Sequence, residues 1–347
     1  MPRIPIHRGV AATVSAAALL LTAACGSSDD AGGGSGDPAG GSAKVAAVIK
    51  GLDNPFFQSM EQGIKEQAQS SGSAVTVQAA NSITDTTGQA DKLTGLAGQD
   101  FSCYIVNPIS GTNLIQGIAQ LAARDKTIVN IDSPVEAAAA KAANAAPATY
   151  IGTNNTSAGQ KAGEQMLKLL PDGGKVAAIG GIAGDVTSGQ RVDGFAQATT
   201  GKLELVQTVA ANWERQEALT QATNILRAQP DLKGFFVAND DMGLGVARAV
   251  VTAGKAGQVK IISVDGIKDA LTAVKNGEVD AVVAQYPYAI GLMGMEACQA
   301  AAKGATLPAN VEAPVEVVTK ENADQALAAT PKPFGTYDDP FKTLLGS

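Results

Sequence analysis

The sequence predicts an α/β fold made of two doubly wound lobes, each with a parallel sheet. Apolar runs of strand length alternate with helical patterns, which is typical of βα units whose sheet is covered on both faces. The alternation comes in two successive series, and each series has the length of one lobe. The composition agrees, since 45% of the 347 residues are hydrophobic and 17% are charged.

The first series begins at Lys44. Its predicted strands are Val45–Ile49, Val75–Ala79, Tyr104–Val106 and Ile128–Ile131, and its predicted helices are Phe56–Ser70, Thr87–Ala97 and Leu114–Arg124. Short strands separated by helices of 10 to 15 residues indicate a parallel sheet. The Ala-rich stretch Glu136–Ala148 interrupts this pattern, and we expect it to be a surface excursion of the first lobe.

The second series repeats the alternation. Its predicted strands are Val176–Ile179, Leu205–Val209, Gly234–Val237, Ile261–Val264 and Ala281–Ala284, and its predicted helices are Asn155–Leu170, Gln190–Thr199, Glu214–Ala228, Asp241–Ala253 and Lys268–Asn276. We expect residues 44–152 and 286–314 to form the N-terminal lobe, and residues 153–285 and 315–347 to form the C-terminal lobe.

The first 25 residues predict export and attachment to a membrane. Arg3 and Arg8 precede the apolar run Val10–Leu21, which is too short for a bilayer and ends in small residues before Cys25. This arrangement resembles a bacterial lipobox, although Thr22 occupies the usual apolar position, and an ordinary secretory signal is the alternative. We expect residues 1–24 to be a signal peptide, Cys25 to carry lipid, and residues 25–43 to be a flexible tether.

Several classes of chemistry are excluded by the residue types. The single histidine, His7, lies in the signal, so a mature chain has no imidazole for catalytic triads or zinc ligation. We therefore predict no catalytic residues, no metal and no cofactor. The loop Gly180–Gly184 lacks both glycine-rich phosphate patterns. We expect Cys103 and Cys298 to be two separate buried thiols, with a disulfide as the alternative.

Polar side chains follow nearly every predicted strand, at the sheet edge where ligands bind in open parallel sheets. They combine carboxylates, amides and an arginine with flat aromatic faces, which suits a hydroxyl-rich ligand with apolar C–H faces. A sugar or polyol fits this set best. The residues concerned are Asp53, Asn54, Phe56, Phe57, Asn107, Asp132, Arg191, Trp213, Asn239, Asp240, Asp265 and Gln285.

Helix capping is the structural alternative for each of these polar residues, because Asp and Asn commonly begin the helix that follows a strand. We expect Asn155 and Asp241 to be caps of this kind. Capping alone does not explain why Arg191, Trp213 and Gln285 also lie near strand ends. Their co-occurrence favours a binding site.

The stretch Asp53-Asn54-Pro55-Phe56-Phe57 resembles the first βα turn of the ribose-binding protein family, the type I periplasmic binding proteins of sugar transporters. The resemblance continues in order through residues 131–132, 191–195, 239–242, 264–266 and 284–287, and it spans most of residues 44–318. It implies that the cleft is lined by Asn54, Phe56, Phe57, Asp132, Arg191, Trp213, Asn239, Asp265 and Gln285. It also implies a three-segment hinge near Thr153, Gln285 and residues 313–317.

Two departures from the ribose pattern bear on the ligand. Ser133 follows Asp132 where that pattern has an arginine, which leaves space and removes a fixed charge, so ribose itself is in doubt. Trp213 replaces a phenylalanine and offers a larger stacking face. We expect a pentose, a hexose or an acyclic polyol, and the short Ser133 hydroxyl favours the polyol.

The sequence thus predicts a monomeric, extracytoplasmic binding lipoprotein that captures its ligand by lobe closure and delivers it to an ABC permease. A ligand-presenting sensor is the first alternative, and a glycosidase using Asp132 and Asp265 is the second. A DNA-binding regulator of the same fold is disfavoured because the export signal occupies the N-terminus. With a net charge of −7 and no basic cluster, we expect no nucleic-acid partner and membrane contact through the lipid only.

Overall fold

The computed structural model of the protein describes residues 43–346, and these form two parallel-sheet α/β lobes, which confirms the predicted fold class. The predicted signal peptide, the lipidation site Cys25 and the tether up to residue 42 lie outside the described residues. Within residues 43–346, no helix has both the length and the apolar character needed to cross a bilayer.

The first lobe is built on a six-stranded sheet in which all neighbouring strands are parallel. Its order is β11-β5-β4-β3-β1-β2. The strands are β1 (Lys44–Ile49), β2 (Ala74–Ala79), β3 (Cys103–Val106), β4 (Thr127–Ile131), β5 (Thr149–Gly152) and β11 (Asn310–Glu312); the helices between them are α1 (Pro55–Ser70), α2 (Thr86–Ala97), α3 (Ile115–Ala122) and α4 (Ala137–Ala142).

The second lobe has a six-stranded sheet of order β12-β10-β9-β8-β6-β7, in which only β12 is antiparallel to its neighbour. The strands are β6 (Gly174–Gly180), β7 (Leu203–Ala210), β8 (Gly234–Val237), β9 (Lys260–Asp265), β10 (Ala281–Gln285) and β12 (Val315–Thr319); the helices are α5 (Asn155–Leu169), α6 (Val186–Thr199), α7 (Arg215–Ala228), α8 (Asp240–Thr252), α9 (Lys268–Asn276) and α11 (Ala323–Ala329).

The Ala-rich stretch is more ordered than a surface excursion. It contains the short helix α4, begun by Glu136, whose carboxylate accepts from the backbone N–H groups of Ala138 and Ala139. Ala140 and Ala145 are buried against the first lobe. Strand β5 follows directly, and the sequence analysis did not predict it.

Burial explains the composition of the strands. Residues 45–49 of β1 are fully buried because helices cover both faces of a central parallel strand. The edge strands β2 and β7 are partly exposed, and they carry polar residues among their apolar ones. The fully buried strands therefore lie in the middle of each sheet. The residues at the ends of these strands lie in the middle of each lobe.

The strands of the two sheets are connected by three crossings between the lobes. The chain crosses after β5 at residues 153–154, after β10 at residue 286, and between β11 and β12 at residues 313–314. After the second crossing, α10 (Pro287–Ala302) packs on α1 and on strands β3, β4 and β5 of the first lobe.

The expectation of two separate thiols was wrong. Cys103 at the start of β3 and Cys298 on α10 form a disulfide, with their Cα atoms 5.7 Å apart. Both residues are buried. The bond forms because α10, although 195 residues away in sequence, packs directly against β3.

The end of the chain also differs from the expectation that residues 315–347 join the second lobe. Helix α11 packs on α9 of that lobe, but α12 (Pro340–Leu345) packs on α10 of the first lobe. Phe341 is fully buried there, and Lys303 Nζ donates to the Leu345 carbonyl at 3.2 Å. Lys332 likewise lies 3.6 Å from the Glu66 carboxylate of α1.

Candidate functional site

A cleft lies between the carboxyl ends of the two sheets, and side chains of both lobes line it. The first lobe contributes Lys50, Asn54, Phe56, Phe57, Ile83, Ile109, Asp132 and Ser133, and the second contributes Thr187, Arg191, Trp213, Asn239 and Asp265. Nine of the ten ligand-binding residues predicted from the sequence therefore line one cavity.

Asn54 and Asn239 are helix caps and cavity residues at once. Asn54 Oδ1 accepts from the Phe56 N–H at 2.9 Å, and Asn239 Oδ1 accepts from the Met242 N–H at 2.9 Å. Each cap uses only the carbonyl oxygen of the side-chain amide. The NH₂ group of each asparagine is left as a donor for a ligand.

Arg191 is held by three hydrogen bonds. Its Nε donates to Asn155 Oδ1 at 2.8 Å, and its Nη1 donates to the Ala238 carbonyl at 2.7 Å and to Asp265 Oδ1 at 3.4 Å. The side chain is only 4% exposed, so an unpaired guanidinium would be costly there. The remaining N–H groups of this fixed fork can donate to a ligand oxygen.

Lys50 supplies a second cation, which the sequence analysis missed. It follows β1, and its Nζ donates to Ser133 Oγ at 2.7 Å, while Ser133 Oγ donates to Asp132 Oδ2 at 3.2 Å. The ammonium group also lies 5.5 Å from the centre of the Phe57 ring. Ser133 itself brings no charge, as the sequence analysis inferred, but Lys50 supplies a positive charge to the same part of the cavity from the end of another strand.

Asn130, on strand β4, holds the loop that follows this strand. Its Nδ2 donates to the Ser133 carbonyl at 2.8 Å, and its Oδ1 accepts from the Val135 N–H at 2.8 Å. Tyr150 of β5 adds a bond from its hydroxyl to the Asp132 carbonyl at 2.6 Å. Asp132 and Ser133 are thus positioned by buried groups behind them.

Aromatic side chains form the apolar walls. Phe56 and Phe57 pack edge to face with ring centres 5.1 Å apart, and the Trp213 ring lies 5.8 Å from the guanidinium carbon of Arg191. A Cβ at Gly181 would overlap the Trp213 indole. The glycine-rich loop after β6 therefore makes room for Trp213, which explains it without a phosphate.

Three cavity residues have backbone conformations that are uncommon outside glycine. Asp132 has a φ of 59°, Trp213 a φ of 67° and Asp265 a φ of 138°. Such conformations cost on the order of 1–3 kcal/mol each and concentrate at functional sites. The backbone is thus strained at the residues that point into the cleft.

Burial raises the pKa of both cavity carboxyls above the usual range. For Asp132, Lys50 and Arg191 oppose this increase, and for Asp265 the opposing charge is Arg191. The neighbouring Asp240 raises the pKa of Asp265 further. Each carboxyl can accept hydrogen bonds from ligand hydroxyls when ionised and can donate one when protonated.

Gln285 does not line this cavity. It lies behind Asp265, and its Nε2 donates to Asp265 Oδ1 at 2.6 Å. Three of the other polar residues near strand ends, Asp53, Asn107 and Asp240, also lie outside the cavity lining. Asp240 instead accepts from the Gly266 and Ile267 N–H groups at 2.7 and 2.9 Å, which fixes the turn after β9.

Both expected caps were assigned wrongly by one or two positions. Asn154, not Asn155, is the N-cap residue of α5, and Asn239, not Asp241, is the N-cap residue of α8. Asp241 is paired with Arg215 at 2.7 Å on the surface. Asn155 instead bonds to Arg191. Besides Lys50, three lining residues were not predicted: Ile83 and Ile109 are isolated apolar side chains in loops, and Thr187 is a single hydroxyl in the first turn of α6, so none of them belongs to a pattern.

Two lobes joined by three crossings, with a cavity between them that is lined by polar and aromatic side chains, define a two-lobe solute-binding protein. The periplasmic binding protein domain model matches residues 45–306. The chain belongs to this family, which confirms the resemblance seen in the sequence.

Individual relatives agree with this assignment. The chain is 34% identical to the D-allose-binding periplasmic protein of Escherichia coli over 258 residues, which is 74% of this chain and 83% of the relative. It is 29% identical to a ribose import binding protein of Bacillus subtilis over 273 residues, 79% of this chain and 86% of that one. Among solved structures, an ABC transporter periplasmic solute binding protein from Actinobacillus succinogenes with bound D-allose matches with a TM-score of 0.77 and 29% identity, covering 81% of this chain and 99% of that one.

Proposed function

We propose that this protein binds a monosaccharide between its lobes, as a monomer, and delivers it to the permease of an ABC importer. The observation that carries the proposal is the convergence of paired donors and acceptors from both lobes on one cavity with aromatic walls. A buried hydroxyl left unpaired costs about 1–3 kcal/mol, so a sugar requires such a dense set of partners. The aromatic rings can cover its C–H faces.

Capture follows from the division of the site between the lobes. Asn54, Asp132 and Lys50 belong to the first lobe, while Arg191 and Asp265 belong to the second. A ligand that bonds to both sets stabilises the closed arrangement, because only that arrangement makes all of the bonds. The three crossings between the sheets would act as the hinge.

We propose an aldose as the ligand, with D-allose the first to test. The E. coli and A. succinogenes relatives that carry D-allose in their names support this choice. The structure weakens the preference for an acyclic polyol, because the Ser133 hydroxyl is already bonded to Lys50 and Asp132. The relatives are named as binding or import proteins, which supports transport rather than glycoside hydrolysis.

A thermal-shift screen of the purified protein tests this proposal. The panel contains D-allose, D-ribose, other aldopentoses and aldohexoses, and C4 to C6 polyols. A ligand of the folded state at a hundredfold excess over its Kd adds about 2.7 kcal/mol of stability. We expect the melting temperature to rise with one or a few aldoses. A response to polyols alone would replace the aldose with a polyol, and a flat panel would contradict the proposal.

We also propose that the protein works outside the cytoplasm, attached to the membrane by lipid on Cys25. The support is the charged, apolar and small-residue pattern that precedes this cysteine. The substitution Cys25→Ser is expected to move the protein from the membrane fraction to the soluble fraction. Ser27→Ala, two residues further on, is the matched control and should remain with the membrane. Membrane attachment of Cys25→Ser would contradict the lipid anchor.

A further inference from the structure

We propose that Asn155 is a positioning residue, which connects a crossing between the lobes to Arg191 and controls ligand affinity through that arginine. Asn155 does not line the cavity, so it has no direct contact with a ligand held there. Its role in affinity rests on the proposed function, whereas its role in holding Arg191 does not.

Both the oxygen and the nitrogen of the Asn155 side-chain amide form hydrogen bonds. It is the first residue of α5, directly after the crossing that leaves β5, and it is 3% exposed. Its Oδ1 accepts from Arg191 Nε at 2.8 Å, and its Nδ2 donates to the Thr153 carbonyl at 3.2 Å. One side chain therefore joins the backbone of the crossing to the guanidinium of the site.

The connection continues to the second crossing. Arg191 Nη1 donates to Asp265 Oδ1 at 3.4 Å, and Gln285 Nε2 donates to the same oxygen at 2.6 Å. Gln285 is the last residue of β10, next to the crossing at residue 286. A continuous series of hydrogen bonds thus runs from Thr153 to Gln285 through two residues of the ligand cavity.

Nε is the atom of Arg191 that best fixes its orientation. An arginine side chain has many rotamers, and ordering it on ligand binding weakens the affinity. A bond to Nε holds the plane of the guanidinium before the ligand arrives, while Nη1 stays bonded to the Ala238 carbonyl and to Asp265. A change of backbone at the crossing would alter this orientation, so the same contact couples lobe movement to the site.

The test compares two adjacent asparagines. Asn155→Leu removes both amide bonds while it keeps the number and branching of the side-chain heavy atoms, and Asn155→Ala is a smaller variant in case the leucine does not fold. Asn154→Ala is the matched control, because Asn154 caps the same helix but is exposed and does not contact Arg191. Circular dichroism and thermal unfolding establish that each variant is folded.

The first readout is the fluorescence of Trp213 without ligand. This is the single tryptophan of the chain, and its ring lies 5.8 Å from the Arg191 guanidinium carbon. We expect the emission maximum or intensity to change in folded Asn155→Leu or Asn155→Ala, and to match the unsubstituted protein in Asn154→Ala. Unchanged emission in the folded Asn155 variants would overturn the proposal.

The second readout is a double-mutant cycle measured by calorimetry with D-allose as the probe. We expect Asn155→Leu to weaken binding at least tenfold in the unsubstituted protein and less than twofold in an Arg191→Lys background, because both changes act on the same contact. Equal losses in the two backgrounds would overturn the proposal. If D-allose does not bind the unsubstituted protein, the proposed ligand fails, and the Trp213 readout still decides the role of Asn155.

Discussion

Some polar atoms of the cavity residues bond to the protein itself, and the others are left for a ligand. The side-chain oxygens of Asn54 and Asn239 accept hydrogen bonds as helix caps, and Arg191 Nε donates to Asn155. What remains for the ligand is a set of donors with fixed directions. Two carboxyls, Asp132 and Asp265, face these donors from opposite lobes. At this scale the site is organised before the ligand binds.

Removal of a single member of this set should weaken sugar binding strongly. We predict that Asp265→Ala and Arg191→Ala each raise the Kd at least tenfold, about 1.4 kcal/mol, because each leaves buried partners unpaired. Calorimetry with the sugar identified in the thermal-shift screen measures the effect. Asp241→Ala is the matched control, since this neighbouring carboxylate is paired on the surface with Arg215. Unchanged affinity in the folded Asp265 and Arg191 variants would remove them from the site.

Lys50 gives a second prediction for a single residue. Lys50→Met keeps most of the side-chain length but removes the donor to Ser133 and the charge near Asp132. We predict at least a fivefold rise in Kd, about 1 kcal/mol. Lys44→Met, an exposed lysine at the other end of β1, is the control and should bind normally. Equal Kd values for the two variants would show that Lys50 does not contribute to binding.

The sequence reveals some of these residues better than others. Asp132, Asn239 and Asp265 are recognisable because polar side chains at the carboxyl ends of parallel strands have a known meaning. Lys50 also follows a parallel strand. A lysine after an apolar run commonly marks only the end of a strand, so the sequence alone did not assign Lys50 to the site. Asn155 was taken for a cap, because only coordinates distinguish it from Asn154, which caps the helix one residue earlier.

At the scale of elements, the strongly apolar strands of both sheets were predicted within one or two residues, except for β5 and the short β11 and β12. Strand β5 follows an Ala-rich stretch and has a single aliphatic residue, Ile151, whereas the equally short β3 and β8 are nearly continuous apolar runs. Its partners set its conformation, since it pairs with β4 on one side and β11 on the other. Long-range pairing of this kind leaves no local signal.

The contact of α10 with the end of the chain contains a buried acid. Glu296 on α10 is 3% exposed, and burial together with a hydrogen bond to Asp339 raises its pKa to about 8. Tyr337 and Lys342 lie in the same cluster. A carboxyl whose pKa is higher in the folded state stabilises the fold in its protonated form.

This acid makes stability depend on pH. The contribution of Glu296 is fully present below its ordinary pKa of 4.5 and is lost as the pH rises through about 8. We predict that Glu296→Gln, which remains neutral, loses less thermal stability than the unsubstituted protein between pH 5 and pH 9. Glu61→Gln on α1, in a surface pair with Lys65, should follow the unsubstituted protein. Parallel curves for Glu296→Gln and the unsubstituted protein would show that Glu296 is ionised throughout.

In the molecule as a whole, the disulfide and helix α12 both strengthen the first lobe. The disulfide joins β3 to α10, and α12 covers α10 with the buried Phe341. Neither could be predicted from the sequence, since each depends on where α10 lies after the chain has crossed between the lobes twice. Prolines 331, 333 and 340 indicated only that this segment is not one long helix.

Loss of the disulfide should lower stability without changing the site. We predict that the double substitution Cys103→Ala and Cys298→Ala reduces the free energy of unfolding by about 2–4 kcal/mol, since the bond closes a long loop of the unfolded chain. Chemical denaturation measures this change, and calorimetry should give a nearly unchanged Kd because both cysteines lie outside the cavity. An unfolding free energy equal to that of the unsubstituted protein would contradict the role of the bond.

The central claim is that a sugar binds in the cavity between the lobes. Trp213 is the single tryptophan of the chain and lines that cavity, so its fluorescence reports directly on occupancy. The most direct measurement is a titration of the unsubstituted protein with D-allose, and then with the rest of the aldose panel, followed by Trp213 emission. We predict a saturable change with one site per chain and an affinity that Asp265→Ala weakens at least tenfold. Emission that stays constant with every aldose, in protein shown to be folded, would contradict it.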